Sequence, residues 1–383
     1  MLRRVRAINF RTARDVELQL GRVGAFIGEP GAGKSNMLSA IAALLNPDQP
    51  LGPGDVRRGA GSATLEATMT DGTVIGPGYH NGLPALVVAP AELRAGDLLL
   101  PGRDDTATKA TEAIFRNALE SAPAPRIALV RGIEACAEHV SGAVFLIEEP
   151  ELFLAPQGHR YLYRLFRRLA ANGNQVLFTT HAPGLLNVSR LEEIHLVRRD
   201  AGGITTIDNL EPLEADDEFR ALCEFDAERS ELFFSRAAVL VEGLTEKVGL
   251  PHAFRALGYD IDKDAISIIN CGGKTNLPLF IEICKRAHIP YVAVFDSDVR
   301  GSDKPLPELI ELNRRLRVAA GRDRYVEFNP DFEGIMGITA RNNKPQRALA
   351  ALRSARRRDL PTLVEKVVEL TMEAARPTAP TYS

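Results

Sequence analysis

Val-Leu-Val-Glu at 239–242 and Val-Ala-Val-Phe-Asp-Ser-Asp at 292–298, two apolar runs that each end in acid, decide the fold of the second half of this chain. Both are short, β-branched and bounded by turn residues. They read as buried parallel strands, with helical patterns at 244–257 and 276–287 making the crossovers. Ligands of such sheets collect beyond the carboxyl ends of the strands, where Glu242, Asp296 and Asp298 would sit. Like charges gathered there repel one another, and a divalent cation relieves the repulsion. Asp296 and Asp298 occupy alternate positions of an extended segment, so both side chains point the same way. Gly243 permits a tight turn, and Glu246 opens the next helix. A first-turn acid suits the helix dipole by itself, but its spacing from Glu242 also suits the paired carboxylates of a two-metal site. A further strand, expected at 265–269, ends in Asn-Cys-Gly-Gly-Lys (270–274), whose glycines let backbone approach a phosphate. Lys274 is then either a phosphate contact or an exposed loop lysine.

Glu-Gly-Leu-Thr-Glu (242–246) followed by Asp-Ser-Asp (296–298) resembles the Toprim fold shared by topoisomerases, primases and the OLD (overcoming lysogenisation defect) nucleases. Within that group the chain lacks a tyrosine in the setting of a topoisomerase nucleophile. It also lacks the nucleotide-polymerising regions of a primase.

Towards the amino terminus, alternation at 5–10 and 16–20 predicts a strand pair, and Val-Gly-Ala-Phe-Ile (23–27) a third strand. That strand runs into Gly-Glu-Pro-Gly-Ala-Gly-Lys-Ser (28–35) and an apolar-periodic helix over 37–45, the Walker A pattern in its strand–loop–helix setting. Gly28, Gly31 and Gly33 let backbone amides turn towards phosphates at the positive end of the helix. Lys34 is assigned to the β/γ-phosphates, Ser35 to Mg²⁺, and Asn36 follows them in the nucleotide site. Val-Phe-Leu-Ile-Glu-Glu-Pro-Glu (144–151) reads as the partner Walker B strand. Glu148 is assigned to the Mg²⁺ shell, through water because Glu stands where Asp is commoner, and Glu149 to the attacking water. A strand at 175–180 delivers His181, which matches the switch histidine of ABC-type ATPases.

Asn-Phe-Arg (9–11), the Walker A run through Asn36, Glu-Glu-Pro-Glu and Thr-Thr-His together resemble SMC/ABC ATPase heads, and the OLD family within them. Two elements of that class are missing. The stretch Ser-Ala-Pro-Ala-Pro (121–125) before a helix at about 126–140 has no glycine where a Ser-Gly-rich signature belongs, and 72–86 holds no recognisable Q-loop. Either the composite dimer site uses other residues, or hydrolysis is slow and nucleotide acts mainly as a switch. The resemblance also implies Glu333 as a further metal ligand and Lys344, in Asn-Asn-Lys-Pro (342–345), as stabiliser of phosphorane charge.

The expected architecture is α/β: an ABC-type P-loop ATPase domain at 1–215, a linker at 216–235, a Toprim (Rossmann-like) parallel-sheet domain at 236–345, and a C-terminal helix with a disordered tail at 346–383. Phe219, Leu222, Phe225 and 232–234 are expected on the apolar face of a helix near the boundary. The arginines at 353–358 are expected on a solvated helix face. The OLD resemblance implies an ATP-gated, metal-dependent DNA endonuclease. Mg²⁺, with Mn²⁺ or Ca²⁺ as alternatives, would be held by Glu242, Glu246, Asp296, Asp298 and Glu333. Its implied partners are DNA, ATP, a second copy of the chain in a homodimer or higher oligomer, and a protein encoded in an anti-phage defence operon. The rival reading is an SMC-like ATP-driven DNA-binding or sensor protein whose Toprim half only binds.

Composition sets outer bounds. With 45% apolar and 25% charged residues over 383 positions, the chain has an ordinary globular makeup and length for two cores. A net charge of −3 excludes indiscriminate coating of nucleic acid, so DNA binding must use a local basic face. Cys136, Cys223, Cys271 and Cys284 share no metal-ligand spacing and are expected as reduced core thiols. No apolar run is long enough to span a bilayer, and none follows the charged start at Arg3-Arg4, so a cytoplasmic protein with no membrane partner is expected.

Overall fold

The computed structural model describes residues 1–46, 51–77, 85–88, 106–122, 124–152, 154–299, 306–338 and 342–376. The chain divides into two compact units, Met1–Leu213 and Glu214–Thr378.

The first unit runs β1 (Leu2–Ile8), β2 (Asp15–Gln19), β3 (Val23–Ile27), α1 (Lys34–Leu45), β4 (Thr64–Met69), β5 (Val74–Ile75), β6 (Ala85–Val88), α2 (Thr106–Ser121), α3 (Pro125–His139), β7 (Val144–Glu148), α4 (Pro156–Ala171), β8 (Gln175–Thr179), β9 (Ile194–Arg199) and β10 (Thr205–Asn209). Two sheets result. The antiparallel sheet β2-β1-β4-β5 buries Val5 and Ala7, as the alternation dictates, and also Leu2, which lies beyond a register shift in the pairing of β1 with β4. The other is ordered β10-β9-β3-β8-β7-β6 and is parallel from β9 to β6. β3 and β8 are buried along their whole length, and α1 and α4 pack on this sheet. Continuous burial explains why β3 and the centre of β8 read as apolar runs, while the buried polar ends of β8, Gln175 and Thr179, are hydrogen-bonded. Register pairs Phe26 with Thr179 and Thr179 with Glu148, so β3, β8 and β7 end level. β6 had no sequence signal strong enough to be expected. Of the stretch at 72–86, where no Q-loop was recognised, residues 78–84 lie outside the described residues.

The second unit runs α5 (Ala215–Glu224), β11 (Ala237–Val241), α6 (Leu244–Ala256), β12 (Ile266–Asn270), α7 (Leu277–Arg286), β13 (Tyr291–Asp296), α8 (Pro307–Ala320), β14 (Tyr325–Phe328), α9 (Phe332–Ile335), α10 (Lys344–Leu352) and α11 (Thr362–Ala374). Its sheet, β12-β11-β13-β14, is wholly parallel. Val239 and Val241 lie in one core with Val292, Val294, Phe254 and Phe332. Each such fully buried Val or Phe contributes roughly 1.5–3 kcal/mol.

Three local expectations are corrected. The helix near the domain boundary stops at Glu224, and Phe219 and Leu222 are 67% and 62% exposed, whereas Leu232 and Phe233 are buried on a separate 3₁₀ turn. A 3.6-residue period cannot register across the break at 225–228, so the two groups face differently. Arg353–Arg358 forms a turn and a short 3₁₀ segment, solvated but not a helix face. Cys223 is exposed, unlike the buried Cys136, Cys271 and Cys284. The helix expected after 345 is α10 and then α11, and α11 places Val364, Val367 and Val368 in the same core as Val239. The tail at 377–383 lies outside the described residues. Among those described, no helix is long and apolar enough to cross a membrane.

Candidate functional site

In the first unit, β3 ends in a loop whose glycines are required by space as well as by φ. Gly28 has φ 147° and a Cβ there would stand 2.0 Å from the Val197 carbonyl oxygen; Gly33, at φ 112°, would place one 2.4 Å from Thr205 Oγ1. Gly31, at φ 77°, makes the turn between them. Lys34 is buried and folds back on the loop, donating to the Gly28 and Glu29 carbonyls at 2.9 and 3.1 Å. Burial pulls its ammonium pKa down, against Glu149 and Glu151, which raise it. Ser35 is exposed at the helix start, whereas Asn36 donates to Thr12 Oγ1 at 2.7 Å and accepts from Arg11.

The level strand ends bring Walker B and the histidine to this loop. Glu148 closes β7, and Glu149 follows in the left-handed region at φ 44°. That conformation is costly for a side chain other than glycine, and it persists because the Glu149 amide donates to both Thr179 O and Thr179 Oγ1 at 3.1 Å. His181 Nε2 stands 3.7 Å from Glu149 Oε1, and the His181 amide donates to Glu151 Oε1 at 2.7 Å. Burial, with Lys34 second, holds the imidazole below its ordinary pKa, which keeps it neutral near pH 7. Glu151 was quoted in the sequence motif without a role; here it fixes the backbone that presents His181.

In the second unit the carboxyl ends of β11 and β13 bring Glu242 and Asp296 together. Glu242 Oε1 accepts from the Asp296 amide at 2.8 Å. Asp296 Oδ1 in turn accepts from the Phe332 amide at 2.9 Å, which ties the first turn of α9 to the cluster. The next residues extend the pairing, Ser297 N to Phe328 O at 2.7 Å and Asp298 N to Pro330 O at 2.8 Å. Glu246 is buried in the first turn of α6, where the charge of Glu333 acts on it. Glu333 is buried on α9 and pairs with Lys344 at 3.0 Å. Lys274 reaches in from the other side, donating to Asp298 Oδ2 at 2.9 Å and to the Asp296 carbonyl.

Crowding shows in the protonation equilibria. Burial first, then Glu246 and Glu242, push the Asp296 carboxyl up to about 8. Burial, then Asp298 and Glu246, push Glu242 up to about 7, against the Asp296 amide and Lys274. Glu246 is raised by burial and then by Glu333. Carboxyls crowded in this way favour a proton or a cation. Among the described residues no three acid, imidazole or thiol groups already enclose an ion position. An ammonium, that of Lys274, stands among them instead. The donor set, all carboxylate oxygen, suits a hard divalent ion, and the resident cation shows that the pocket accepts positive charge.

The comparisons agree with this division. A model of the "Overcoming lysogenization defect protein-like, TOPRIM domain" matches residues 233–298. A second model, described as "AAA domain, putative AbiEii toxin, Type IV TA system", matches residues 119–187. The chain joins an ATPase domain to an OLD-like Toprim domain. It is 31% identical to the OLD nuclease of Thermus scotoductus over 253 residues, 61% of this chain and 48% of that one. It is 27% identical to the Old nuclease of Escherichia phage P2 over 143 residues, 36% of this chain and 24% of the phage protein. The chain therefore spans about half the length of the first of these curated relatives and less of the second. The C-terminal region of the Burkholderia pseudomallei OLD protein aligns in full with 37% of this chain, at 18% identity and TM-score 0.31.

The Toprim match contains Glu242, Glu246, Lys274, Asp296 and Asp298; Glu333 and Lys344 lie beyond it. The AAA match contains Glu148, Glu149, Glu151 and His181, and the Walker A loop precedes it. The geometry of the Toprim domain thus gathers all the acids expected in the sequence, with Asp298 the most exposed of them. Lys274, left open between two roles, is bound into the acid cluster.

Proposed function

We propose that this chain is an ATP-gated, metal-dependent DNA endonuclease of the OLD type. The observation that carries the reading is the meeting of Glu242, Glu246 and Asp296, from two strand ends and a helix start, closely enough that Glu246 raises the protonation of both others and Glu242 that of Asp296. A stable core has no use for such repulsion, and a site that binds cations does. Glu242, Glu246, Asp296, Asp298 and Glu333 would hold one or two Mg²⁺ or Mn²⁺ ions, which when bound polarise a phosphodiester and activate water. Asp296 and Glu242 then surrender protons to the solvent as they become ligands. The Phe332 amide keeps one Asp296 oxygen fixed, and Glu333 orients Lys344, whose ammonium would meet charge on the phosphate. No side-chain nucleophile is needed.

In the ATPase domain, Lys34 would exchange the Gly28 and Glu29 carbonyls for nucleotide phosphates, and Ser35 and Glu148 would hold the accompanying Mg²⁺. Glu149, with neutral His181 beside it, would orient a water. ATP would gate cleavage in a homodimer or higher oligomer, with a role in DNA processing or anti-phage defence. The non-cleaving rival draws support from Lys274, which could neutralise the acids permanently.

Plasmid DNA incubated with purified protein and Mn²⁺ decides between them. Cleavage that Asp296→Ala abolishes, and whose response to ATP Lys34→Ala removes, is the expected result. No metal-dependent cleavage under any condition favours the binding-only protein.

A further inference from the structure

Lys274 is 8% exposed, unusually little for a lysine, and its Nζ lies among acids. It donates to Asp298 Oδ2 at 2.9 Å and to the Asp296 carbonyl oxygen, and it stands 3.9 Å from Glu242 Oε1. The Phe295 ring centroid lies 6.0 Å away. The backbone is shaped to deliver it. Gly272 and Gly273 sit at φ 77° and 135°, and a Cβ on Gly272 would meet Arg229 Nη2 at 2.9 Å. These glycines make the turn that leads Lys274 into the pocket, not a loop held open for a phosphate. Burying an ammonium is costly unless opposite charge surrounds it, and here the acids supply that charge.

We propose that Lys274 is a resident counter-cation. It neutralises the carboxylate cluster in the ion-free chain, and a divalent cation that uses Asp298 must displace it. The proposal rests on the metal-nuclease reading above. Its reason is electrostatic: an ammonium and a divalent ion held in one pocket repel each other. Lys274 therefore weakens metal binding while sparing the domain from collapse when metal is absent. Lys344 is half-buried and pairs with Glu333.

The test is calorimetric titration of the full chain with Mn²⁺, without nucleotide so that the P-loop contributes no metal site, together with thermal melts in EDTA and in Mn²⁺. Lys274→Met should bind Mn²⁺ at least about tenfold more tightly than the unsubstituted chain. In EDTA it should melt about 4 °C or more lower, and Mn²⁺ should restore the loss. Lys274→Arg, which keeps the charge, should bind Mn²⁺ as the unsubstituted chain does. Mn²⁺ affinity equal to or weaker than that of the unsubstituted chain in Lys274→Met overturns the proposal, while Mn²⁺ binding that Asp296→Ala removes leaves the metal reading standing. Absence of any Asp296-dependent Mn²⁺ binding overturns both. If Lys274→Met does not fold even with Mn²⁺, Lys274→Arg decides: tighter Mn²⁺ binding by that variant contradicts displacement of a charge.

Discussion

Asp296 is where the chemistry of the Toprim domain is most constrained. Its carboxyl is raised to about 8 in the folded chain, against about 3.9 for an exposed aspartate. Between those values the folded chain binds more protons than the unfolded one. Its stability without metal should therefore fall as pH rises from about 4 to about 8 and level off above. Urea melts in EDTA across that range check it, and Asp296→Asn should flatten the slope. The same protons must leave when a metal enters, so Mn²⁺ affinity should climb with pH through the same upper range. Loss of the carboxylate should also lower cleavage at least about a thousandfold, measured as plasmid nicking. A cleavage-competent Asp296→Asn chain would show that the acid cluster is not the site. These residues were legible because two acid-ended runs stand in the order of the Toprim motifs, whereas any one such acid alone reads as a surface residue at a strand end. Lys274 was not, since a lysine after two glycines reads equally well as exposed; only the depth of the pocket settles its surroundings.

At the scale of elements, close approach between helices sets where Glu333 and Lys344 stand. A Cβ on Gly249 of α6 would lie 3.0 Å from Leu352 Cδ1 and 3.3 Å from Phe332 Cζ, so α6 touches both α10 and α9 there. Gly249→Leu should push these helices away, costing about 1–3 kcal/mol. Because Lys344 opens α10 and Glu333 lies on α9, nicking should drop about a hundredfold for a displacement near 1 Å. ATP hydrolysis, measured in parallel, should be unchanged. α11 contributes in another way: Val367 is fully buried beside the sheet, and Val367→Asp should destabilise the second unit by about 3 kcal/mol, read by chemical denaturation. Strands and crossover helices were readable from periodicity, because burial on two faces forces continuous apolar runs. The place of α11 was not. An amphipathic helix declares that it needs a core but not which one, and Phe219 and Leu222 show the converse, apolar residues at helical spacing that face solvent.

The whole molecule carries two sites of different kinds in separate units, a phosphate-cradling loop and a pocket of acids. Charge expresses the same division: Lys34 and the glycine amides offer positive potential to an anion, whereas Glu242, Glu246 and Asp296 call for a cation. Lys34→Ala should abolish nucleotide binding, seen as loss of the thermal shift given by ATP and Mg²⁺ in the unsubstituted chain. Which residues would complete a nucleotide site in the proposed oligomer was not readable, because the sequence at 121–125 carries no familiar signature and a composite site would be written in two copies of a chain at once. The most direct measurement is anomalous scattering from crystals of the protein soaked in Mn²⁺. A manganese peak bounded by Glu242, Glu246 and Asp296, absent from crystals of Asp296→Asn, is the predicted result. Ordered crystals saturated with Mn²⁺ that show no peak in that pocket would contradict it.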